Sequence, residues 1–72
     1  MNIYKIIYVI TEKEHPGAII SAHERPQPGD QVKIGSEYFE VFEIFDLIPP
    51  QGNFYHVQAN CRPLDLTSGK EG

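Results

Sequence analysis

The sequence predicts an all-β domain, a small barrel of about five antiparallel strands, from three observations. Turn-forming Pro and Gly divide the 72 residues into short segments. The segments between these turns are rich in β-branched and aromatic residues, and most of them alternate side chains with the period of two that strands show. We expect one domain over residues 1–66, because a chain of this length can build only one thin core. Residues 67–72 carry no apolar side chain to bury, so we expect a disordered tail there.

The first predicted strand, residues 3–10, is apolar on both faces. Its two sets of side chains are Tyr4, Ile6, Tyr8 and Ile10 on one face, and Ile3, Lys5, Ile7 and Val9 on the other. Such a strand is either covered on both sides or presents an aromatic face for binding. Residues 18–22, with Ile20 inward, and 31–34 predict two shorter strands, and Gly35-Ser36 begins a tight turn.

The segment 37–48 fits two structures. Its apolar residues have helical spacing, which would give an α+β fold with a helix at 37–48. As a strand, the segment needs one extra residue near Val41-Phe42, a β-bulge, to keep its apolar side chains in phase. We favour the bulged strand, because the segment lacks Ala and is rich in aromatic and β-branched residues. Asp46 near its end would also oppose a helix dipole.

The last predicted strand alternates over residues 54–61. Its inward set is Tyr55, Val57, Ala59 and Cys61, and its outward set is Phe54, His56, Gln58 and Asn60. The outward set combines an aromatic ring, a titratable ring and two amides, which are side chains that small barrels use to bind partners. We therefore take the outward set as the candidate binding surface. Tyr4 and Tyr8 would extend this surface if their face is the outer one, and otherwise belong to the core.

One stretch resembles a known class of fold. Residues 28–35, which read PGDQVKIG, are followed by Tyr38-Phe39-Glu40-Val41. Together they resemble the turn-and-hairpin sequence pattern of SH3-like small barrels. The resemblance implies a barrel of about five strands and no particular activity, because such folds host unrelated functions.

Charge and cysteine content limit the partners and the compartment. Six Lys and Arg stand against ten Asp and Glu, for a net charge of −4. Nucleic acid is therefore a disfavoured partner, because its binders neutralise phosphates with clustered cations. Cys61 is the single cysteine, so no internal disulfide forms, and we expect a cytoplasmic protein. We expect neither a secretory signal nor a membrane association, since no apolar run approaches the ~20 residues of a membrane span.

The sequence offers no catalytic or metal motif. The possible ligands His15, His23, His56 and Cys61 show no metal-binding spacing. His56 and Cys61 would also point to opposite faces of one strand. We expect no metal, no cofactor and no enzymatic activity, with Cys61 acting as a small buried hydrophobe. The acidic residues at 37, 40, 43 and 46 are interpreted as solvated surface.

These observations favour a non-catalytic module, an adaptor that binds a protein or peptide through the outward face of the last strand or through a free sheet edge. Two alternatives stay open. A structural component could self-associate through the surplus apolar surface of the first strand. A weak binder of single-stranded nucleic acid could stack bases on exposed aromatic rings.

Overall fold

The computed structural model describes residues 1–64 and contains no helix within them. Its five strands are β1 (Ile3–Ile10), β2 (Ala18–Ala22), β3 (Gln31–Ile34), β4 (Glu37–Asp46) and β5 (Phe54–Pro63). They form one sheet in the order β2-β1-β5-β4-β3, which curls into a half-barrel. The predicted all-β class is confirmed. The predicted tail at 67–72 lies outside the described residues.

The centre of the sheet is a parallel pair of strands, and this differs from the predicted antiparallel arrangement. β1 runs parallel to β5, with Ile6 opposite Val57 and Tyr8 opposite Ala59. All other neighbours are antiparallel, so a β1–β2 hairpin is joined to a β3–β4–β5 meander. β1 lies between β2 and β5, so both of its edges are hydrogen-bonded, and its even-numbered side chains face the core.

β4 is one bulged strand. Val41 lies opposite Cys61, but the next paired residue, Glu43, lies opposite Asn60. Phe42 is therefore the extra residue of a β-bulge, and the alternation of side chains changes phase at this point. The change keeps Ile44 on the same face as Val41, so the prediction of a bulged strand near Val41-Phe42 is confirmed and the helix is excluded.

The core covers the inner, concave face of the sheet. Its buried residues are Ile6, Tyr8, Ile34, Phe39, Val41, Val57, Ala59 and Cys61. The segment between β1 and β2 contributes His15, whose ring packs edge-on against Phe39 with the ring centroids 4.9 Å apart. The segment between β2 and β3 contributes the buried Pro26. Four strands and two connecting segments thus share one thin hydrophobic layer.

The acidic side chains of β4 tie separate segments to this strand. The pairs are Glu37 with Lys13 at 2.6 Å, Glu40 with Arg62 at 3.6 Å, Glu43 with Asn60 at 2.9 Å and Asp46 with Arg25 at 3.0 Å. Because these groups are solvent-exposed or half-buried, each ion pair contributes little stability alone. Together they connect both connecting segments and β5 to β4.

Gly17 lies where the chain approaches β1 too closely for a side chain. A Cβ atom at this position would overlap the backbone carbonyl oxygen of Tyr8. Because the obstacle is backbone near the middle of the sheet, it cannot move aside without disturbing the strand pairing. Glycine is therefore the residue that lets the chain enter β2.

Gly17→Ala is expected to lower the free energy of unfolding by about 1–3 kcal/mol, the range typical of overpacking. Urea denaturation followed by circular dichroism measures the change. Ser36→Ala, at an exposed turn position, is the control and should alter stability by no more than about 0.5 kcal/mol. Equal stability of Gly17→Ala and the wild type would contradict the close approach.

Candidate functional site

The outer face of β5 carries the four side chains that the alternation placed there. Phe54 is 46% exposed, and His56, Gln58 and Asn60 are half-buried. Their neighbours in sequence point the other way, and Val57, Ala59 and Cys61 are fully buried. The structure thus brings the four predicted residues together along one strand.

Tyr4 and Tyr8 lie on the inner face and do not extend this surface. The Tyr4 ring stacks on Tyr55, with the ring centroids 4.6 Å apart. Tyr8 lies opposite Ala59 and is 8% exposed. The parallel register with β5 decides this, because it aligns both tyrosines with the inward residues of β5. Of the two alternatives given by the sequence, the tyrosines belong to the core.

Neighbouring strands add apolar side chains on both sides of β5. Gln58 lies between Ile7 of β1 and Phe45 of β4, and Ile7 in turn lies opposite Ile19 of β2. Ile19 is 64% exposed and Phe45 is 39% exposed. We call this surface the outer face; its residues are Ile3, Ile7, Ile19, Phe45, Phe54, His56, Gln58 and Asn60. Sequence analysis missed Ile19 and Phe45, because their place beside Gln58 depends on strand order and register.

Hydrogen bonds and ring contacts hold the polar side chains of the outer face in place. The Gln58 amide Nε2 donates to Asn60 Oδ1 at 2.8 Å, and the Asn60 amide Nδ2 donates to Glu43 Oε1 at 2.9 Å. The Phe54 and His56 rings lie roughly parallel, with centroids 6.3 Å apart. A surface whose side chains are already ordered loses less conformational entropy when a partner binds.

Charged side chains lie within this surface and beside it. Glu43 lies beside Asn60, and Lys5 lies opposite His56. Farther along β5, the Arg62 guanidinium lies 5.4 Å from the centroid of the Phe42 ring. The middle of the surface, around Gln58, is neutral. The row through Gln58 thus lies between Lys5 on one side and Glu43 on the other.

Cys61 lies on the opposite face of the sheet from this surface, and its thiol has low reactivity. The residue is fully buried on the inner face, and its Sγ–H donates to the carbonyl oxygen of Ala59 at 3.5 Å. Burial raises the pKa of the Cys61 thiol to about 11. The thiolate is the nucleophilic form, so little of this cysteine is reactive at neutral pH.

Residues 1–64 contain no group of three or more His, Cys, Asp or Glu side chains placed to share a metal ion. In the same residues no helix is long and apolar enough to cross a lipid bilayer. The chain matches no protein-family model, no curated protein and no solved structure.

Burial of Cys61 predicts a loss of stability at alkaline pH. Its pKa rises from 9.0 to about 11 on folding, so the folded state favours the protonated thiol. The stabilisation is complete below pH 9 and is lost as the pH rises toward 11. We expect the free energy of unfolding to fall by about 1 kcal/mol between pH 8 and pH 10.

Urea denaturation under reducing conditions at several pH values measures this slope. Cys61→Ala should be less stable overall but flatter across the same interval. Burial also raises the pKa of Tyr8, and its contribution begins above the ordinary tyrosine pKa of about 10. An unchanged slope in Cys61→Ala would show that Cys61 does not cause the effect.

Proposed function

We propose that this chain is a non-catalytic protein-binding module that docks a protein or peptide partner on its outer face. The observation that carries the proposal is a row of four side chains, Ile19, Ile7, Gln58 and Phe45, in which apolar groups surround an amide. No second sheet and no helix of residues 1–64 covers this face. A sheet with one solvated face usually places polar side chains on that face. The outer face departs from this pattern across three strands.

The exposed groups are those that contribute most at protein interfaces. Phe45 and Phe54 expose 39% and 46% of their surface, and aromatic side chains are enriched in the buried centre of interfaces. Burying such rings releases about 25 cal/mol for each Å² of apolar surface. A partner with a complementary apolar surface would thus gain most of its affinity here.

The polar groups in the middle of the outer face define what the partner must offer. Gln58 and Asn60 are neutral hydrogen-bonding groups, fixed by their mutual contact. These contacts use only part of the hydrogen-bonding capacity of the two amides. A partner would leave the rest unsatisfied unless it brought amide, hydroxyl or backbone groups to the same place. This requirement favours a polypeptide over a lipid surface. The stretch that resembles SH3-like barrels forms the β3–β4 hairpin and contains none of the outer-face residues. We place the module in the cytoplasm, as its single, buried cysteine suggests.

Site-specific photo-crosslinking in cells that produce the protein tests this proposal. A photoreactive phenylalanine analogue at Phe54 should capture one recurrent protein. The same analogue at Tyr38 is the matched control, because Tyr38 is 47% exposed and lies at the far end of β4 from Phe45. Equal capture from both positions would contradict the assignment of the outer face.

Calorimetry with the purified captured protein then measures the energetics. Phe45→Ser should weaken binding at least tenfold, the equivalent of about 1.4 kcal/mol, because it removes an exposed aromatic ring next to Gln58. Tyr38→Ser should change the affinity less than twofold. A short single-stranded oligonucleotide, titrated at low salt, is expected to give no signal; saturable binding lost in Phe54→Ser would favour nucleic-acid binding instead.

A further inference from the structure

The two edges of the sheet differ in how well they are protected from pairing with another strand. β2 and β3 are the outermost strands, and no other segment within residues 1–64 pairs with their outward sides. β3 carries Lys33, and a lysine on an edge strand discourages pairing. β2 reads AIISA and contains neither a charged residue nor a proline. Its Ile19 and Ile20 are 64% and 45% exposed.

The hydrogen-bonding pattern shows which backbone groups of β2 face outward. Ile3 and Thr11 of the β1 segment donate their N–H groups to carbonyl oxygens of the β5 segment, both at 2.8 Å. Since backbone groups of successive residues point to opposite sides of a strand, the odd-numbered residues of β1 face β5 and the even-numbered ones face β2.

The partners of the even-numbered β1 residues are Ala18, Ile20 and Ala22. These residues of β2 therefore use their backbone groups toward β1. The backbone N–H and C=O groups of Ile19 and Ser21 point away from the sheet, and no backbone group within residues 1–64 pairs with them.

We propose that β2 pairs antiparallel with β2 of a second copy of this chain, about a two-fold axis through Ile20, to form a continuous ten-stranded sheet. In this register Ile19 of each copy faces Ser21 of the other. Four backbone hydrogen bonds form, two for each of these pairs. A shift that places the axis at Ile19 would leave only two such bonds within the strand.

The side chains of β2 are self-complementary in the same register. Ile20 meets Ile20 of the second copy in a pair without backbone hydrogen bonds, where side chains approach most closely. Because Ile20 lies on the inner face opposite Ile6, this contact continues the hydrophobic core across the interface. Ala18 meets Ala22, so small side chains flank the isoleucine pair. An interface between identical chains needs this kind of self-complementarity.

Charge and size set the strength of the association. Each copy carries a net charge of −4, so the two copies repel each other at long range. β2 itself adds no charge, and raising the salt concentration should therefore strengthen pairing rather than weaken it. Five residues from each copy make a small interface, so we expect a dissociation constant on the order of 0.1–1 mM.

Disulfide trapping tests the register. In Ile20→Cys the two cysteines would lie across the axis with Cα atoms about 4.5 Å apart, within disulfide range. Mild oxidation should convert most of the 8.2 kDa chain to a species of twice that mass. Ile19→Cys is the control, because position 19 is more exposed but would lie about 8 Å from its equivalent, beyond that range. Equal crosslinking of both variants would overturn the register.

Sedimentation equilibrium from about 0.02 to 2 mM, chosen to span the range set by the small interface, tests the association itself. The weight-average mass of the wild type should rise toward twice 8.2 kDa. Ser21→Pro should remain at the monomer mass, because proline removes an outward N–H that β1 does not use. Lys33→Pro, the same change on the other edge strand, should associate at least as well as the wild type.

If Ser21→Pro fails to fold, amide hydrogen exchange of the wild type provides an alternative test of the β2 pairing. In the wild type, the amides of Ile19 and Ser21 should exchange rapidly at low concentration and become protected at high concentration, while Ile20 is protected throughout. A wild-type mass that stays at 8.2 kDa at 2 mM would overturn the proposal. So would protection of Ile19 and Ser21 that does not depend on concentration. A dimer that is lost in Phe45→Ser but kept in Ser21→Pro would place self-association on the outer face instead.

Discussion

The parallel pairing of β1 with β5 is the interaction on which the rest of this structure depends. It is the only join between the β1–β2 hairpin and the β3–β4–β5 meander among the strand pairs of residues 1–64. Through it, Ile6 and Tyr8 meet Val57 and Ala59 to form the middle of the core. The same pairing leaves β2 and β3 at the edges and exposes the outer face of β5 between two flanking strands. The hydrophobic core, the outer face and the position of β2 at an edge thus all depend on this one strand pairing.

The bulge at Phe42 controls how β4 divides its side chains between the two faces. Without the extra residue, the strand would turn Ile44 outward and lose part of the inner layer. With it, Asp46 lies on the same side of the strand as Glu37, and the two carboxylates bind Arg25 and Lys13 of the connecting segments. The strand that looked ambiguous in sequence is the one that organises the connecting segments.

The proposed binding face and the proposed pairing edge use different chemistry in the same sheet. The outer face offers side chains, with Phe45 and Phe54 as exposed rings around a fixed amide pair. The β2 edge offers the outward backbone N–H and C=O groups of Ile19 and Ser21. Pairing there also requires that the facing strand place a side chain that fits beside Ile20. Pairing through the edge would place the outer faces of two copies side by side, because a strand addition extends a sheet without covering its faces. The two proposals are therefore compatible but independent of each other.

Local patterns were enough to predict the strands, the bulge and the outward side of β5, because alternation depends only on residues near in sequence. They placed Phe54, His56, Gln58 and Asn60 on one face correctly. They could not orient Tyr4 and Tyr8 or find Ile19 and Phe45. Those placements depend on strand order and on the direction in which β1 runs against β5, and such long-range pairing is chosen by the packing of the whole core. The sequence by itself determined the strands and their two faces, and the tertiary structure alone decided which faces lie side by side and which edges stay free.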